Sequence, residues 1–196
     1  TGAFSEATDA QENWEYQITA FPSGLENITE WAEENTTSFE LTLVAQATIS
    51  GTTKAIDLKG NDVLSENDDA LHRLNLLQGE LPVLGQTPVQ GILDEGSAEL
   101  EGYAVGNTIS IEFEGEQHTI EIVGIARELS RSIYMHRTDA QPIVGEEANG
   151  ALLVTKDGAS IEDIRFSTVS IVEKETMVAT FEELIEQQKA IMQSIY

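Results

Sequence analysis

The chain has 196 residues, 10 lysines and arginines against 35 aspartates and glutamates, and a formal net charge of -25. This excess of acid excludes nucleic-acid binding, which needs basic groups to neutralise phosphates, and it disfavours docking on anionic lipid. The absence of cysteine excludes a disulfide framework, a zinc ribbon and a thiol nucleophile. The length fits one domain, or one domain with an insertion.

The first third of the chain predicts strands with one helix between them. Alternation of apolar and polar residues, the pattern of a half-buried strand, is found at 14–20, 38–49 and 55–58. Between the first two strands, apolar residues recur at helical spacing and predict an amphipathic helix over 24–34. Ser23 and Glu26 have the spacing of a capping box at its start.

The middle of the chain contains the clearest local pattern. Residues 65–78 predict a loop or a short helix, and 89–93 predict a strand. Asp94 is a candidate cap for a short helical turn over 95–100. Two alternating runs, 109–113 and 120–124, flank a short turn that contains glycine, which predicts a β-hairpin.

The last third is less regular until its final helix. The region 127–142 is mixed, and its three arginines (Arg127, Arg131, Arg137) are expected to pair with nearby acids rather than with an acidic partner. We predict strands at 151–154 and 168–172, a turn at 157–158 and a weak helical turn from Ser160. Thr180 and Glu183 have capping-box spacing before a helix that runs to the end and becomes apolar there. We expect that helix to continue beyond the last residue of the sequence.

No motif selects a catalytic, metal-binding or cofactor-binding residue. His72, His118 and His136 do not have metal-ligand spacing, and His118 is expected to be a surface or edge-strand side chain. The acids are too numerous for any pair to stand out, and Asp57, Asn61 and Asp62 only partly match a calcium loop. There is no nucleophile elbow and no Walker A sequence. We therefore predict no catalytic residue, no metal and no cofactor.

Residues 71–126 carry a recognisable pattern: LHRLNLLQGELP, followed by VQGILDEGSAELEGYAVGNTISIEFEGEQHTIEIVGIA. It resembles the extracytoplasmic domain of the FtsX/MacB/LolC family of ABC-transporter permeases. The glycines, the proline and the small helical residue of the family pattern fall here on Gly79, Pro82, Ala98, Gly102, Gly106 and Gly124. Asn107 stands where the family usually has aspartate, and Gln90-Gly91 replaces its frequent Glu-Val.

The resemblance implies an α+β fold in which both chain ends build one subdomain. That subdomain, porter-like and α/β in character, would comprise 10–82 plus 140–196, and a β-rich inserted subdomain would comprise 83–139. The resemblance covers the central third by sequence and the flanks by topology only. It also implies that the six motif positions are structural and that no residue is catalytic.

For function, the resemblance implies a domain on the extracytoplasmic face of a cell membrane, between transmembrane helices. The full transporter would contain a second permease copy and a cytoplasmic ATPase subunit. That subunit would drive the movement of this domain without contacting it. This movement would reach an extracytoplasmic partner: a lipoprotein, a peptide or a cell-wall enzyme. Two alternatives stay open, a free-standing secreted acidic binding module and a carboxylate-dependent hydrolase, which only the number of acids suggests. An acidic surface also fits a high-salt habitat.

Overall fold

The structure, a computed structural model, describes residues 12–19, 25–156 and 177–195. Within them are ten strands and four helices, so the class is α+β. In chain order they are β1 (Tyr16–Thr19), α1 (Leu25–Asn35), β2 (Thr36–Ile49), β3 (Ala55–Asn61), β4 (Leu76–Gly79), β5 (Val89–Asp94), α2 (Glu95–Glu101), β6 (Thr108–Phe113), β7 (Glu116–Ala126), β8 (Ser132–His136), α3 (Arg137–Val144), β9 (Gly150–Thr155), β10 (Met177–Thr180) and α4 (Phe181–Ile195).

The chain divides into two compact units. Among the described residues, the first contains Glu12 and Asn13 together with Thr42–Ala148, and the second contains those between Trp14 and Leu41 together with those from Asn149 onwards. The predicted insertion at 83–139 lies inside the first unit, which also takes in 42–82. The predicted division into porter-like and inserted subdomains stays a prediction.

In the first unit, six strands pair in a ladder that closes on itself. β2 pairs with β3, β3 with β8, β8 with β5, β5 with β7, β7 with β6, and β6 again with the end of β2. β4 pairs with β7 outside this ring. The ring encloses an aliphatic core to which every one of its strands contributes, with Ala98 of α2 and Ala140 of α3 packed against it.

A bulge in β7 explains why its apolar pattern changes phase. Ile120 and Ile122 face the enclosed core, but so does Ile125, three residues later instead of two. The pairing with β5 shifts by one residue between Gly91 and Ile92. Because an extra residue reverses the alternation of faces, Ala126 joins a smaller cluster with Ile92 and Tyr134 on the other side of the sheet.

In the second unit, α1 packs on a small sheet. β1 pairs antiparallel with both β10 and β9, which places it in the middle. From α1, Ile28, Trp31 and Ala32 repeat at helical spacing and pack on apolar side chains of β1 and β9. The apolar face of the helix predicted over 24–34 is therefore buried against this sheet, which stabilises the helix.

Most of the predicted elements are present, with small shifts at their ends. The helix over 24–34, the strand over 38–49, the hairpin, and the strand at 151–154 correspond to α1, β2, β6–β7 and β9. The hairpin turn is Glu114-Gly115, since Phe113 pairs directly with Glu116. Thr180 Oγ accepts a hydrogen bond from the Glu183 backbone N–H at 3.2 Å, which confirms the cap of α4.

The structure decides or corrects three further predictions. Of the two alternatives for 65–78, the loop is confirmed over 65–75, because Leu74 is buried while Leu77 is exposed, so the leucines do not share one face; Leu76–Gly79 form β4. The strand predicted over 55–58 runs on to Asn61, paired with both β2 and β8. The region 127–142 is mixed in its sequence pattern, which predicts no element there, but it contains β8 and most of α3.

The predictions for Ser23, for 157–158, for Ser160 and for 168–172 lie outside the described residues.

Candidate functional site

Gly79 and Gly124 lie opposite each other where β4 meets β7. A Cβ on Gly79 would lie 2.1 Å from the Val123 carbonyl oxygen, and one on Gly124 would lie 2.8 Å from the Glu80 carbonyl oxygen. Real Cβ atoms do not approach backbone oxygens so closely. The two motif glycines therefore allow β4 to lie against the bulged end of β7.

Ala98 and Gly102 belong to the short helix α2, which Asp94 caps as predicted. The Asp94 carboxylate accepts hydrogen bonds from the Ser97 and Ser132 backbone N–H groups, both at 2.9 Å. Ala98 is buried against the enclosed core. Gly102 ends the helix with φ at 73°, and its N–H donates to the Ala98 carbonyl. This left-handed conformation is the usual reason for glycine after a helix.

Gly106 and Asn107 form the turn that leads into β6. The Gly106 N–H donates to the Ile122 carbonyl at 2.8 Å. The Asn107 side-chain oxygen accepts from the Ala104 N–H at 2.9 Å. An aspartate could accept the same bond, so the departure from the family pattern at Asn107 leaves this turn intact.

Pro82 is the buried residue of the segment 80–88, called here the 80–88 loop. Side chains from three elements hydrogen-bond to the backbone of this loop. Gln90 accepts from the Val83 N–H at 2.8 Å, and His136 Nε2 donates to the Pro82 carbonyl at 2.8 Å. Asp139 accepts from the Gly85 N–H at 3.2 Å. The motif proline thus sits in a loop that β5, β8 and α3 hold in place.

The structure also contains a buried ionic cluster that the sequence did not reveal, called here the His72 cluster: His72, Glu12, Glu128 and Tyr134. His72 Nδ1 lies 2.8 Å from a Glu12 carboxylate oxygen, and Nε2 lies 3.0 Å from one of Glu128. The imidazole stacks on the Tyr134 ring, with centroids 5.0 Å apart and planes 6° apart. Lys59 Nζ lies 5.3 Å from the centroid of that ring.

The protonation of this cluster follows from its geometry. Burial alone lowers the pKa of His72, but the hydrogen bonds and charges of Glu12 and Glu128 outweigh it and raise the pKa to about 10. Burial also raises the pKa of Tyr134 well above its usual value, helped by the charges of Glu128, Glu12 and Asp57. At neutral pH the cluster is an imidazolium between two carboxylates, beside a neutral tyrosine.

The cluster acts as an anchor for the chain segment at residues 12 and 13. Glu12 forms a β-bridge with His72, and the Asn13 side chain donates to the carbonyls of Asp68 and Ala70 at 2.6 and 2.7 Å. All of these residues belong to the first unit. Sequence reasoning missed the cluster because Glu12 and Glu128 lie 60 and 56 residues from His72.

The remaining candidates from the sequence resolve into structural contacts. Arg127, Arg131 and Arg137 pair with Glu95, Glu101 and Asp62, which confirms the expectation that they pair with nearby acids. Hydrogen bonds from Lys54 and Arg131 lower the pKa of Glu101. Among the described residues, no group of three or more histidine and acidic side chains could hold a metal ion.

Several solved structures share this fold. The periplasmic region of MacB from Actinobacillus actinomycetemcomitans matches 94% of this chain and 96% of its own, with a TM-score of 0.58 and 12% identity. The extracellular domain of YknZ, an ABC-type transporter from Gram-positive bacteria, matches 84% of this chain and 98% of its own, with a TM-score of 0.53 and 14% identity. No protein-family model and no curated protein sequence matches.

The chain therefore has the fold of a MacB-like periplasmic domain, and the α+β class that the motif resemblance implied is confirmed. Both neighbours are regions that lie outside the cytoplasm. In the described part of this chain, no helix is long and apolar enough to cross a membrane.

Proposed function

We propose that this chain is the extracytoplasmic domain of an ABC-transporter permease of the FtsX/MacB kind. It carries out no chemistry itself. It couples ATP hydrolysis by a cytoplasmic subunit, in a transporter with a second permease copy, to an extracytoplasmic lipoprotein, peptide or cell-wall enzyme. The observation that carries the proposal is the two-way coverage with the MacB periplasmic region, which is nearly complete for both chains.

The packing of the first unit suits such a role. A closed ladder of paired strands around an aliphatic core deforms little, and a packed body of this kind transmits a displacement instead of absorbing it. The His72 cluster fastens residues 12 and 13 to that body. Movement applied to the chain ahead of residue 12 would therefore reach the first unit directly.

A single reporter thiol tests the location. The sequence has no cysteine, so Leu100→Cys, at a side chain that is 74% exposed on α2, provides one in this domain. In the full-length protein, with cysteines elsewhere replaced, we expect a membrane-impermeant maleimide to label it on intact cells. The label should remain with the membrane fraction.

Ala98→Cys, at a buried position of the same helix, is the matched control and should react only after unfolding. Labelling of Leu100→Cys only after permeabilisation would place the domain inside the cell and contradict the proposal. Labelled protein in the culture medium, free of membrane, would favour the secreted acidic binding module.

A further inference from the structure

The tip of the 80–88 loop exposes two adjacent aliphatic side chains. Val83 is 55% exposed and Leu84 is 50% exposed, next to the buried Pro82. Single exposed aliphatic residues are common on protein surfaces and need no explanation. Here two adjacent aliphatic side chains are exposed together, at the tip of a loop whose backbone is anchored.

Hydrogen bonds from three side chains hold the backbone of the 80–88 loop in place. Its backbone is bound by Gln90, His136 and Asp139, which come from a central strand, a second strand and a helix. These bonds lie on both sides of Leu84, so they order the backbone that carries Leu84 and Val83. A surface ordered before binding loses less conformational entropy when a partner docks, which favours affinity.

The stretch of chain that carries the loop is acidic. Residues 74–126, which include the loop and β4 to β7, contain no lysine or arginine and the following acids: Glu80, Asp94, Glu95, Glu99, Glu101, Glu112, Glu114, Glu116 and Glu121. Glu80 is exposed on the loop itself, and Asp139 binds its Gly85 N–H. The nearby Arg137 is paired with Asp62 at 2.8 Å.

We infer that the tip of the 80–88 loop docks a protein segment that combines aliphatic and basic side chains. The aliphatic groups would pack on Val83 and Leu84, and the lysines or arginines would lie beside Glu80 and Asp139. This inference deepens the proposed function, because it rests on that function for the existence of an extracytoplasmic protein partner.

Charge decides between this occupant and two others. A second copy of the chain would bring the same acidic surface to the contact, with a formal charge of -25 on each side. An anionic lipid surface would be repelled for the same reason. A segment with basic groups gains from the field that repels the other two, and its association would weaken as salt is added.

The test uses the 196-residue chain labelled with nitrogen-15 and a short synthetic peptide of alternating lysine and leucine. We expect the peptide to shift the amide signals of residues 83–85, and the variant Val83→Ser/Leu84→Ser to bind it about tenfold more weakly. The matched control Leu100→Ser removes a side chain that is also exposed and should leave the affinity unchanged. The single variant Leu84→Ser should lose part of that affinity, and it replaces the double variant in the test if the double variant folds poorly.

Three outcomes would overturn the inference. The first is peptide binding that Val83→Ser/Leu84→Ser and Leu100→Ser weaken equally, because the contact would then be general attraction to an acidic protein. The second is equal binding of a glutamate–leucine peptide. The third is a dimer, or attachment to phosphatidylglycerol vesicles, that Val83→Ser/Leu84→Ser abolishes. None of these outcomes bears on the membrane location, which the Leu100→Cys labelling tests separately.

Discussion

His72 is the centre of the buried ionic cluster. It is 6% exposed and lies between Glu12 and Glu128, whose side chains are 17% and 7% exposed. A buried ion pair adds little to folding stability, because apolar side chains in place of both partners would be about as stable. Removal of one partner alone is costly, since it leaves a buried charge uncompensated. We therefore expect a single substitution in the His72 cluster to weaken the attachment of residues 12 and 13 to the first unit.

We predict that His72→Gln destabilises the chain by about 3 kcal/mol at neutral pH, because two carboxylates lose the charge between them. Urea unfolding measures this free energy. His136→Gln is the matched control, since His136 makes one hydrogen bond to a backbone carbonyl and no ion pair to a carboxylate is found there among the described residues. A loss as large in His136→Gln as in His72→Gln would contradict the account.

The pH dependence of stability provides a second test at the same residue. The pKa of His72 is raised from 6.5 to about 10, so the folded chain binds this proton more tightly than the unfolded chain does. The stabilisation is complete below pH 6.5 and is lost as the pH rises through about 10. We expect the free energy of unfolding to fall over that window in the parent chain. In His72→Gln the fall should be absent.

Gly79 gives a prediction of steric origin. In Gly79→Ala the new Cβ would lie 2.1 Å from the Val123 carbonyl oxygen, so β4 must move away from β7, at a cost of about 3 kcal/mol. The control is Gly102→Ala, which also has a positive φ but meets no atom within 4 Å and should cost about 1 kcal/mol. Thermal unfolding of both variants compares them, and equal losses would show that the close approach is unimportant.

At the scale of elements, α2 depends on one buried carboxylate. Asp94 is 3% exposed and accepts backbone bonds at the start of α2 and at the start of β8. We predict that Asp94→Ala costs about 3 kcal/mol, because a cap is lost and a buried N–H is left without an acceptor. Asp94→Asn retains one acceptor oxygen and should cost less. If both variants unfold at the same urea concentration, Asp94 does not have this double role.

The elements also show what a sequence can and cannot predict. The β6–β7 hairpin was predictable because its strands alternate between a buried and an exposed face, and α2 because its cap is local. β8 was missed because four of its five residues are buried, so a central strand shows no alternation. α3 was missed because Pro142 lies inside it and its start has no side-chain cap. The His72 cluster depends on long-range contacts that no local pattern contains.

At the scale of the whole molecule, the charge of -25 predicts that stability depends on salt. Like charges on one chain repel each other more in the compact state, and the Debye length falls from about 30 Å at 0.01 M salt to about 3 Å at 1 M. We expect the midpoint of urea unfolding to rise steadily with sodium chloride over that range. A midpoint that stays constant or falls would show that surface repulsion is not a major term and would remove the support for a high-salt habitat.

We propose above all that this domain belongs to a membrane transporter driven by ATP. The most direct measurement is isolation of the full-length protein from membranes of the native cell, followed by identification of what is bound to it. The account predicts a membrane-embedded protein whose domain is accessible from outside and which co-purifies with a nucleotide-hydrolysing subunit. A full-length protein released into the medium without membrane helices, or one that binds no such subunit, would contradict it.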